Sequence, residues 1–359
     1  MLHDWLTGMR GGESVLEAIL ETLPQAELFT LFHFPGSVSP LIESRTIHTS
    51  FLQRIAPRIR DYRQLLPLYP FAARSWDLSG YDILVSSSHC VVKGVRAGGK
   101  PHLCYCHTPM RYVWDRFDDY FPRERPLLRA AVTPVAAWLR SWDRRTAGEV
   151  TQFVANSRFV QGRIDRYYGR ASMVIHPFVD DSFLTAPFAE TRADFHVVVS
   201  ALVPYKKIDL AIDTAAATGR ELVVIGSGPL LERYAARVPP NVKLLGSVDR
   251  ATIVKTLAGA KSLILPGVED FGITPLEAMA LGTPVVAFGQ GGALDSVIPG
   301  STGVFFAEAT VEALGRALDE VESRDWDRPA IRAHAAGFSR SRFRREFSEA
   351  LGTMLSDPS

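Results

Sequence analysis

Short apolar runs recur along this 359-residue chain and alternate with segments of helical periodicity. Several runs are apolar at every position, among them Val197–Val199 and Leu222–Ile225. A strand that is apolar on both sides must be covered on both faces, which is typical of parallel sheets between layers of helices. The pattern therefore predicts an α/β fold. The predicted strands are Met1–Trp5, Ala26–Phe32, Thr46–Thr49, Asp82–Ser86, His102–His107, Phe153–Asn156, Phe195–Ser200, Glu221–Gly226, Val242–Leu245, Ser262–Leu265 and Pro284–Phe288.

The length of the chain suggests two domains, at roughly 100–200 residues for each. A proline follows His176 between the two groups of predicted strands, and it indicates a domain boundary there. We therefore expect an N-terminal domain over residues 1–176 and a second domain over residues 177–339. The last helical segment, residues 340–359, is expected to pack back on the first domain.

Charge and composition exclude several classes of protein. The net charge is only +1, so the chain lacks the basic surplus of a typical nucleic-acid-binding domain. Three cysteines, Cys90, Cys104 and Cys106, do not suit a disulfide framework and favour a reducing compartment. No apolar run reaches the ~20 residues of a spanning helix, and Met1–Trp5 does not resemble a leader. We predict a cytoplasmic protein, and we expect its true start upstream because the first strand is short.

Two carboxylates, Glu269 and Glu277, flank a helix start that follows the predicted strand Ser262–Leu265. Thr274 suits the N-cap, Pro275 suits the first helical position, and a glutamate three residues after the cap completes the pattern of a capping box. Free amides and the helix dipole make such a start an anion site suited to a diphosphate. The amides concerned belong to Gly272, Ile273 and Thr274. The alternative is that Glu277 only caps the helix and Glu269 is a solvated loop residue.

This segment resembles the Glu-x7-Glu motif of retaining glycosyltransferases of family 4. The stretch Phe271–Ala280 matches the family's Phe-Gly-x-x-x-Leu-Glu-Ala-Met-Ala interior, and Gly282, Pro284–Ala287 and Gly291-Gly292 continue the match. The resemblance implies the GT-B fold, in which two Rossmann-like domains face each other across a central cleft. It also implies that Glu269 contacts the donor hexose and takes part in catalysis, and that Glu277 contacts the ribose. The diphosphate would be held by Asp270, Phe271, Gly272, Ile273 and Thr274.

Further segments resemble other parts of the family's donor site. Lys206 matches a lysine that contacts the diphosphate, but the family's arginine position holds Ala201, and Lys207 could replace it. The alternative is a pair of solvated lysines at a helix start. Gly226 and Gly228 resemble a Gly-x-Gly-Pro-Leu turn, which permits close backbone approach. The backbone of Val248 corresponds to the family's contact with the nucleobase.

The first half of the chain supplies the expected acceptor side. Gly11 and Gly12 open a helix and resemble the family loop that faces the donor diphosphate, although the bare pattern indicates only a turn. The strand-end His107 belongs to a Cys-His-Thr-Pro motif that resembles polysaccharide-building members, where the histidine lies near the transferred sugar. Ser88 and His89 could bind an acceptor sugar or form a serine-rich turn. A zinc site with Cys104, Cys106 and nearby histidines does not have the usual ligand spacing, and we predict no metal.

A basic and aromatic insert, residues 51–74, has two interpretations. It interleaves Arg54, Arg58, Arg60 and Arg63 with apolar side chains, which would suit an anionic membrane surface and a lipid-linked acceptor. Ordinary packing on the N-terminal sheet would explain the same pattern.

The resemblance as a whole implies a retaining, metal-independent hexosyltransferase. Its subgroup points to mannose transfer from GDP-mannose to a lipid-linked or oligosaccharide acceptor in bacterial surface polysaccharide synthesis, such as lipopolysaccharide. The alternatives are a UDP-sugar-dependent hexosyltransferase, another enzyme of the same fold such as a sugar phosphorylase or epimerase, and a nucleotide-sugar-binding protein without turnover. Ala201 favours the last alternative.

Overall fold

A computed structural model describes residues 1–59, 61–121 and 123–356. The chain forms two compact units. One unit contains Met1–His176 together with the chain from Phe343 onward, and the other contains Pro177–Arg342. The terminal helix thus belongs to the first unit, where Phe343 and Phe347 are buried and the Phe343 ring contacts Tyr105 at 5.5 Å between centroids. Residues 357–359 of the predicted terminal helix lie outside the described residues.

Each unit is built on one parallel sheet, so the predicted fold of two Rossmann-like domains is confirmed. The first sheet has the strand order β3-β2-β1-β4-β5-β6-β7, and the second has the order β10-β9-β8-β11-β12-β13. The strands are β1 Leu2–His3, β2 Leu28–Thr30, β3 Ile47–Thr49, β4 Leu84–Ser88, β5 His102–Cys106, β6 Gln152–Ala155, β7 Ser172–Val174, β8 His196–Val199, β9 Leu222–Ile225, β10 Val242–Gly246, β11 Leu263–Leu265, β12 Val285–Phe288 and β13 Gly303–Phe306.

Every strand expected from the sequence forms, and two strands were not expected. β7 is three residues long and lies at a sheet edge, with Met173 exposed, so it lacks an apolar run. β13 begins at a glycine, Gly303, where a Cβ atom would lie 2.1 Å from the carbonyl oxygen of Val285. A search for β-branched runs misses a strand that lies at the edge of a sheet or that begins with glycine.

Helices follow most strands. They are α1 Gly11–Thr22, α2 Pro40–Glu43, α3 Tyr69–Ala73, α4 Phe117–Tyr120, α5 Pro126–Thr146, α6 Arg158–Tyr168, α7 Asp181–Leu184, α8 Ile208–Thr218, α9 Leu231–Ala235, α10 Arg250–Gly259, α11 Thr274–Ala280, α12 Ala293–Ser296, α13 Val311–Glu322, α14 Arg328–Ala336 and α15 Arg340–Ser356.

The strand order reverses once in each sheet, and this reversal determines where ligands can bind. In the first unit the reversal lies between β1 and β4, and in the second it lies between β8 and β11. Open parallel sheets bind ligands beyond the carboxyl ends of the strands at such a point. The loops after β1, β4, β8 and β11 are therefore the segments that can form a site.

The insert over residues 51–74 packs largely on the first unit. Leu52, Ala56, Leu65 and Tyr69 are buried in the same apolar cluster as Trp5, so ordinary packing accounts for that face. Other apolar side chains of the insert are exposed, namely Phe51, Ile55, Leu68 and Phe71. Arg60, which was counted among its basic residues, lies outside the described residues.

Candidate functional site

In the second unit, the loop after β11 is fixed by two glycines that follow β12. The amide of Gly292 donates to the carbonyl oxygen of Glu269 at 2.9 Å. A Cβ atom on Gly292 would lie 2.2 Å from the Cα atom of Phe271, and one on Gly291 would lie 2.5 Å from the Glu269 carbonyl oxygen. Only glycines permit this approach of two backbones. The Gly291-Gly292 pair therefore holds Glu269 in place.

Lys206 and Glu269 form an ion pair at the carboxyl ends of β8 and β11. The Lys206 ammonium group donates to Oε1 of Glu269, and both side chains are largely shielded from solvent. Gly267 brings the two loops together, because a Cβ atom there would lie 2.8 Å from the Lys206 Cα atom. The structure thus brings together two of the residues that the sequence assigned to catalysis, and it places them at the strand reversal.

The predicted capping box at α11 is wrong. Thr274 is the first residue of the helix, and Ile273 holds the cap position with helical backbone angles and no side-chain hydrogen bond. The amide of Glu277 bonds to the carbonyl oxygen of Ile273. Gly272, with φ at +86°, turns the chain into the helix one residue before the cap position. The first amides of a helix have no partner four residues earlier, so the predicted anion site does not depend on the box.

Glu277 lies among charges that the sequence did not assign to the site. Burial raises the pKa of its carboxyl group to about 7; the positive charge of Arg250 opposes this shift, and the negative charge of Asp180 adds to it. Arg250 and Asp180 themselves form an ion pair at 3.0 Å. Glu277 is therefore a carboxyl group that can gain or lose a proton near neutral pH.

Glu277→Gln is expected to change how stability depends on pH. A carboxyl group whose pKa rises on folding favours the folded state when it is protonated, and this contribution is lost as the pH rises through 7. The loss begins near pH 4.5, where the carboxyl group ionises in the unfolded chain, and amounts to about 2 kcal/mol between pH 5.5 and pH 8.5; the glutamine variant should not show it. Urea unfolding at about pH 5.5 and about pH 8.5 measures the difference.

The matched control for this experiment is Glu312→Gln, an exposed carboxylate in the first turn of α13 of the same unit. Its removal should leave the pH dependence of unfolding unchanged. Equal pH dependence in the unaltered protein and in Glu277→Gln would contradict the raised pKa.

The remaining donor-side residues have structural roles of their own. A Cβ atom on Gly226 would lie 1.8 Å from the Ser200 carbonyl oxygen, and one on Gly228 would lie 2.5 Å from that of Leu202. These glycines let two loops pack beside Ala201. Lys207 is exposed, with φ at +50°, and it precedes α8. Val248 packs partly against the core of this unit, which leaves its backbone as the group that could meet a base.

In the first unit, one buried carboxylate joins β1 to the loop after β4. Asp4 is fully buried, and its oxygens accept four backbone amides. Oδ2 accepts from His89 at 2.7 Å and Cys90 at 2.9 Å, and Oδ1 accepts from Val91 at 2.8 Å and Val92 at 3.1 Å. Charge-assisted bonds of this kind are strong. Asp4 therefore fixes the shape of this loop.

Two of the predicted acceptor-side residues, Ser88 and His89, lie against Asp4. The hydroxyl of Ser88 is buried and points at Asp4 at 3.5 Å, so its predicted acceptor contact does not fit the structure. His89 is partly exposed, with Nδ1 3.2 Å from Asp4 Oδ2 and its ring 4.4 Å from Trp5. Burial lowers the pKa of His89 to about 3, so the ring is neutral at physiological pH.

His107 lies beside Gly12 and near a second histidine. A Cβ atom on Gly12 would be 3.9 Å from His107 Nε2 and 3.9 Å from His3 Cε1. Ser87 Oγ lies 2.8 Å from His107 Nε2, and burial lowers the pKa of His107 to about 3. The neutral ring can donate or accept a hydrogen bond. Gly11 is exposed at the start of α1.

Sequence reasoning missed several residues of this group, namely His3, Asp4, Glu13 and Ser87. One signal could have found three of them. His3 ends β1 and Asp4 follows it, and Ser87 is one residue from the end of β4. Strands on either side of the reversal end beside each other, so polar side chains at both ends should meet.

The possible metal ligands do not assemble. In the described residues, no group of three or more His, Cys, Asp or Glu side chains could hold a metal ion. The three cysteines are free and buried. The chain contains an Asp-x-Asp triplet, Asp325-Trp326-Asp327, whose last carboxylate accepts the amide of Ala330 at 3.0 Å and so caps α14. No described helix is both long and apolar enough to cross a membrane.

Two family models match the chain in tandem. The model described as Glycosyltransferase Family 4 matches residues 9–183, and the model described as Glycosyl transferases group 1 matches residues 184–336. Their junction falls within a few residues of the boundary between the two units. Each of the two units is thus matched by its own family model.

Curated relatives are similar over part of the chain. A GDP-mannose-dependent monoacylated alpha-(1-6)-phosphatidylinositol monomannoside mannosyltransferase of Corynebacterium glutamicum is 34% identical over 175 residues, which is 44% of this chain and 45% of the relative. A glycogen synthase of Xanthomonas oryzae is 32% identical over 188 residues, which is 50% of this chain and 34% of the relative. The chain thus spans less than half of the length of either relative.

Solved structures are similar over nearly the whole chain. Anabaena HepE in complex with UDP superposes with a TM-score of 0.69 at 19% identity and covers 98% of this chain and 99% of that one. Sucrose-phosphate synthase of Thermosynechococcus elongatus gives a TM-score of 0.66 at 15% identity, with 99% of each chain covered. At this level of identity the likeness shows the fold, and it confirms the predicted GT-B class.

Proposed function

Since the chain belongs to glycosyltransferase family 4, we propose that it transfers a hexose from a nucleotide-sugar donor with retention of configuration and without a metal ion. In this reaction the bond between the anomeric carbon and the diphosphate breaks, and an acceptor oxygen bonds to the same carbon. The acceptor's proton goes to the departing phosphate. The donor diphosphate gains no covalent bond to the protein, so the residues of the site act by binding and by charge.

The Lys206–Glu269 pair is the observation that carries this proposal. A lysine and a carboxylate lie together at the strand reversal of the second unit, where a parallel sheet binds nucleotides. The ammonium group is a point charge suited to a phosphate oxygen, and the carboxylate is suited to sugar hydroxyls. The amides at the start of α11 would add further donors to the diphosphate. Glu277 would accept from the ribose hydroxyls.

The donor we favour is GDP-mannose, and the acceptor is a lipid-linked or oligosaccharide glycan of a bacterial surface polysaccharide. The similarity to the Corynebacterium mannosyltransferase supports the mannosyl donor, whereas the likeness to HepE supports a UDP-sugar as the alternative. Val248 offers backbone rather than a polar side chain to a base, so base choice rests on few polar contacts.

A surface of the first unit supports a lipid-linked acceptor and peripheral membrane contact. Phe71 is 60% exposed and stacks on Trp138 of α5 at 5.7 Å, and Leu127 at the start of α5 is 87% exposed. Arg144 and Arg145 are exposed near the other end of α5, where they line an open cavity of about 730 Å³. Exposed apolar side chains and exposed arginines on the same unit suit the surface of an anionic bilayer.

Turnover is the direct test. The protein is incubated with GDP-mannose or UDP-glucose and a lipid-linked acceptor on anionic vesicles, with and without EDTA, and nucleotide diphosphate release is measured. We expect acceptor-dependent release from GDP-mannose that persists in EDTA and is lost in Glu269→Ala. The vesicle pellet of the same reaction reports membrane contact. Release that EDTA abolishes would contradict metal independence, and faster release from UDP-glucose would favour the alternative donor.

A binding protein without turnover is the second candidate, and Ala201 is the observation that favours it. The family's arginine would stand at this exposed position beside Gly226 and Gly228. Tight binding of a nucleotide sugar without diphosphate release, in the presence of acceptor, would support this candidate and contradict the transferase.

A further inference from the structure

The hydroxyl of Ser87 lies between two imidazole rings in the first unit. Its Oγ atom is 3.1 Å from Nδ1 of His3 and 2.8 Å from Nε2 of His107. His3 and Ser87 are register partners on the adjacent strands β1 and β4, and His107 follows β5, the next strand of the sheet. A hydroxyl has one proton to donate and can accept from other groups. If Ser87 donates its proton to one of the two imidazole nitrogens, it can only accept a proton from the other.

The other nitrogen of His3 faces a carboxylate. His3 is fully buried, and within the described part of the chain its Nε2 has no hydrogen-bond partner. The nearest acid is Glu13, which is also buried and whose Oε1 lies 3.8 Å from this nitrogen. Oε2 of Glu13 accepts the amide of Arg10 at 3.0 Å, so α1 holds the carboxylate in place. A negative charge at this distance favours a proton on Nε2 over a lone pair.

We propose that Glu13, acting through His3 and Ser87, holds the proton of His107 on Nε2 and leaves Nδ1 as an acceptor. Neutral His3 carries one proton, and that proton lies on Nε2 beside Glu13. Nδ1 of His3 must then accept the proton of Ser87. The Ser87 oxygen can accept from His107 but has no proton left to donate, so the proton between them belongs to His107.

This arrangement assigns a task to His107 that rests on the proposed function. An imidazole with a free lone pair on Nδ1 accepts a hydrogen bond from a sugar hydroxyl, whereas the other tautomer would donate one. Glu13, His3 and Ser87 are positioning residues, because they act on the substrate through His107. The start of α1 thus matters through Glu13 as well as through Gly11 and Gly12.

Nitrogen NMR of the full-length protein tests the proton placement without any activity measurement. The protein is labelled with ¹⁵N-histidine and studied at about pH 8, and the signals are assigned with His3→Gln and His107→Gln. We expect Nε2 of His107 to be the protonated nitrogen and Nδ1 to be unprotonated, with Nε2 of His3 protonated as well. Ser87→Ala and Glu13→Gln should each move the His107 signals toward a mixture of tautomers.

Ser86→Ala is the matched control. Ser86 is the neighbour of Ser87 on β4, and its hydroxyl lies 2.8 Å from Nε2 of His102 on the opposite face of the sheet. The control should change the His102 signals and leave His107 as it is. A proton on Nδ1 of His107 in the unaltered protein, or a His107 spectrum that Ser87→Ala does not change, would overturn the proposal.

A kinetic measurement distinguishes a failure of this proposal from a failure of the proposed function. Ser87→Ala should lower kcat of hexosyl transfer about fivefold to tenfold, the effect of one weakened hydrogen bond, with KM for the donor unchanged. If the unaltered protein transfers no hexose, the proposed function fails and the NMR result alone decides the proton placement. If transfer occurs and the tautomer is not fixed, only this inference fails.

Discussion

Lys206→Ala is expected to lower kcat for hexosyl transfer by about 10²–10³-fold, the loss typical of removing one group that stabilises developing negative charge. Lys206 is held at the carboxyl end of β8 by its ion pair with Glu269 and by the close approach of Gly267. In the proposed reaction its ammonium group would neutralise the departing diphosphate. Alanine removes that charge. It also leaves the Glu269 carboxylate without its cation, and the unpaired carboxylate repels the negatively charged donor.

The measurement is steady-state release of nucleotide diphosphate, with thermal unfolding to show that the variant is folded. Lys255→Ala is the matched control, because Lys255 is an exposed lysine on α10 of the same unit and has no assigned contact with the donor. We expect it to change kcat by less than about threefold, as for a surface charge. Similar losses in both variants would contradict the role of the Lys206 charge.

Asp4→Asn is expected to lower the free energy of unfolding of the first unit by about 3–5 kcal/mol, as for breaking a buried charged network. Each carboxylate oxygen of Asp4 accepts two backbone amides. Asparagine has one carbonyl oxygen, so in either orientation two amides face an NH₂ group instead of an acceptor. The loop that contains His89 would then lose its shape.

Tryptophan fluorescence during urea unfolding measures this effect, since Trp5, Trp76, Trp114, Trp138 and Trp142 lie in the first unit and only Trp326 lies in the second. Asp77→Asn is the control, because Asp77 is exposed in the same unit and accepts one amide, from Ser79 at 3.0 Å. The control should cost less than about 0.5 kcal/mol. An equal cost in both variants would contradict the role of Asp4.

The fold was predictable because strands that are buried on both faces appear in the sequence as continuous apolar runs. A run such as Val197–Val199 has no polar face, which is typical of a parallel strand covered on both sides. The edge strand β7 has no such requirement, and it was missed for that reason. The start of α11 was also misread: Thr274 and Glu277 have the spacing of a capping box, but Gly272 turns the backbone and Ile273 takes the cap position.

The site was predictable in part. Lys206 and Glu269 come from loops more than sixty residues apart, and the family resemblance together with the strand reversal places them together. The strand reversal indicates that Asp4 lies near the loop after β4, but its four hydrogen bonds could not be foreseen, because the sequence does not show which backbone amides a carboxylate will accept. The raised pKa of Glu277 depends on burial, which outweighs the opposing charge of Arg250, and neither can be read from spacing.

The return of α15 to the first unit has a consequence for how the chain is made. Ribosomes add roughly 5–20 residues per second, so the segment between His176 and Phe343 takes on the order of ten seconds or more to synthesise. During that interval Tyr105 cannot make the ring contact with Phe343 that it has in the finished protein. The second unit can therefore complete its own sheet before the first unit is closed. In a cell, the first unit is the part that would need a chaperone's protection from aggregation while its last helix is still on the ribosome.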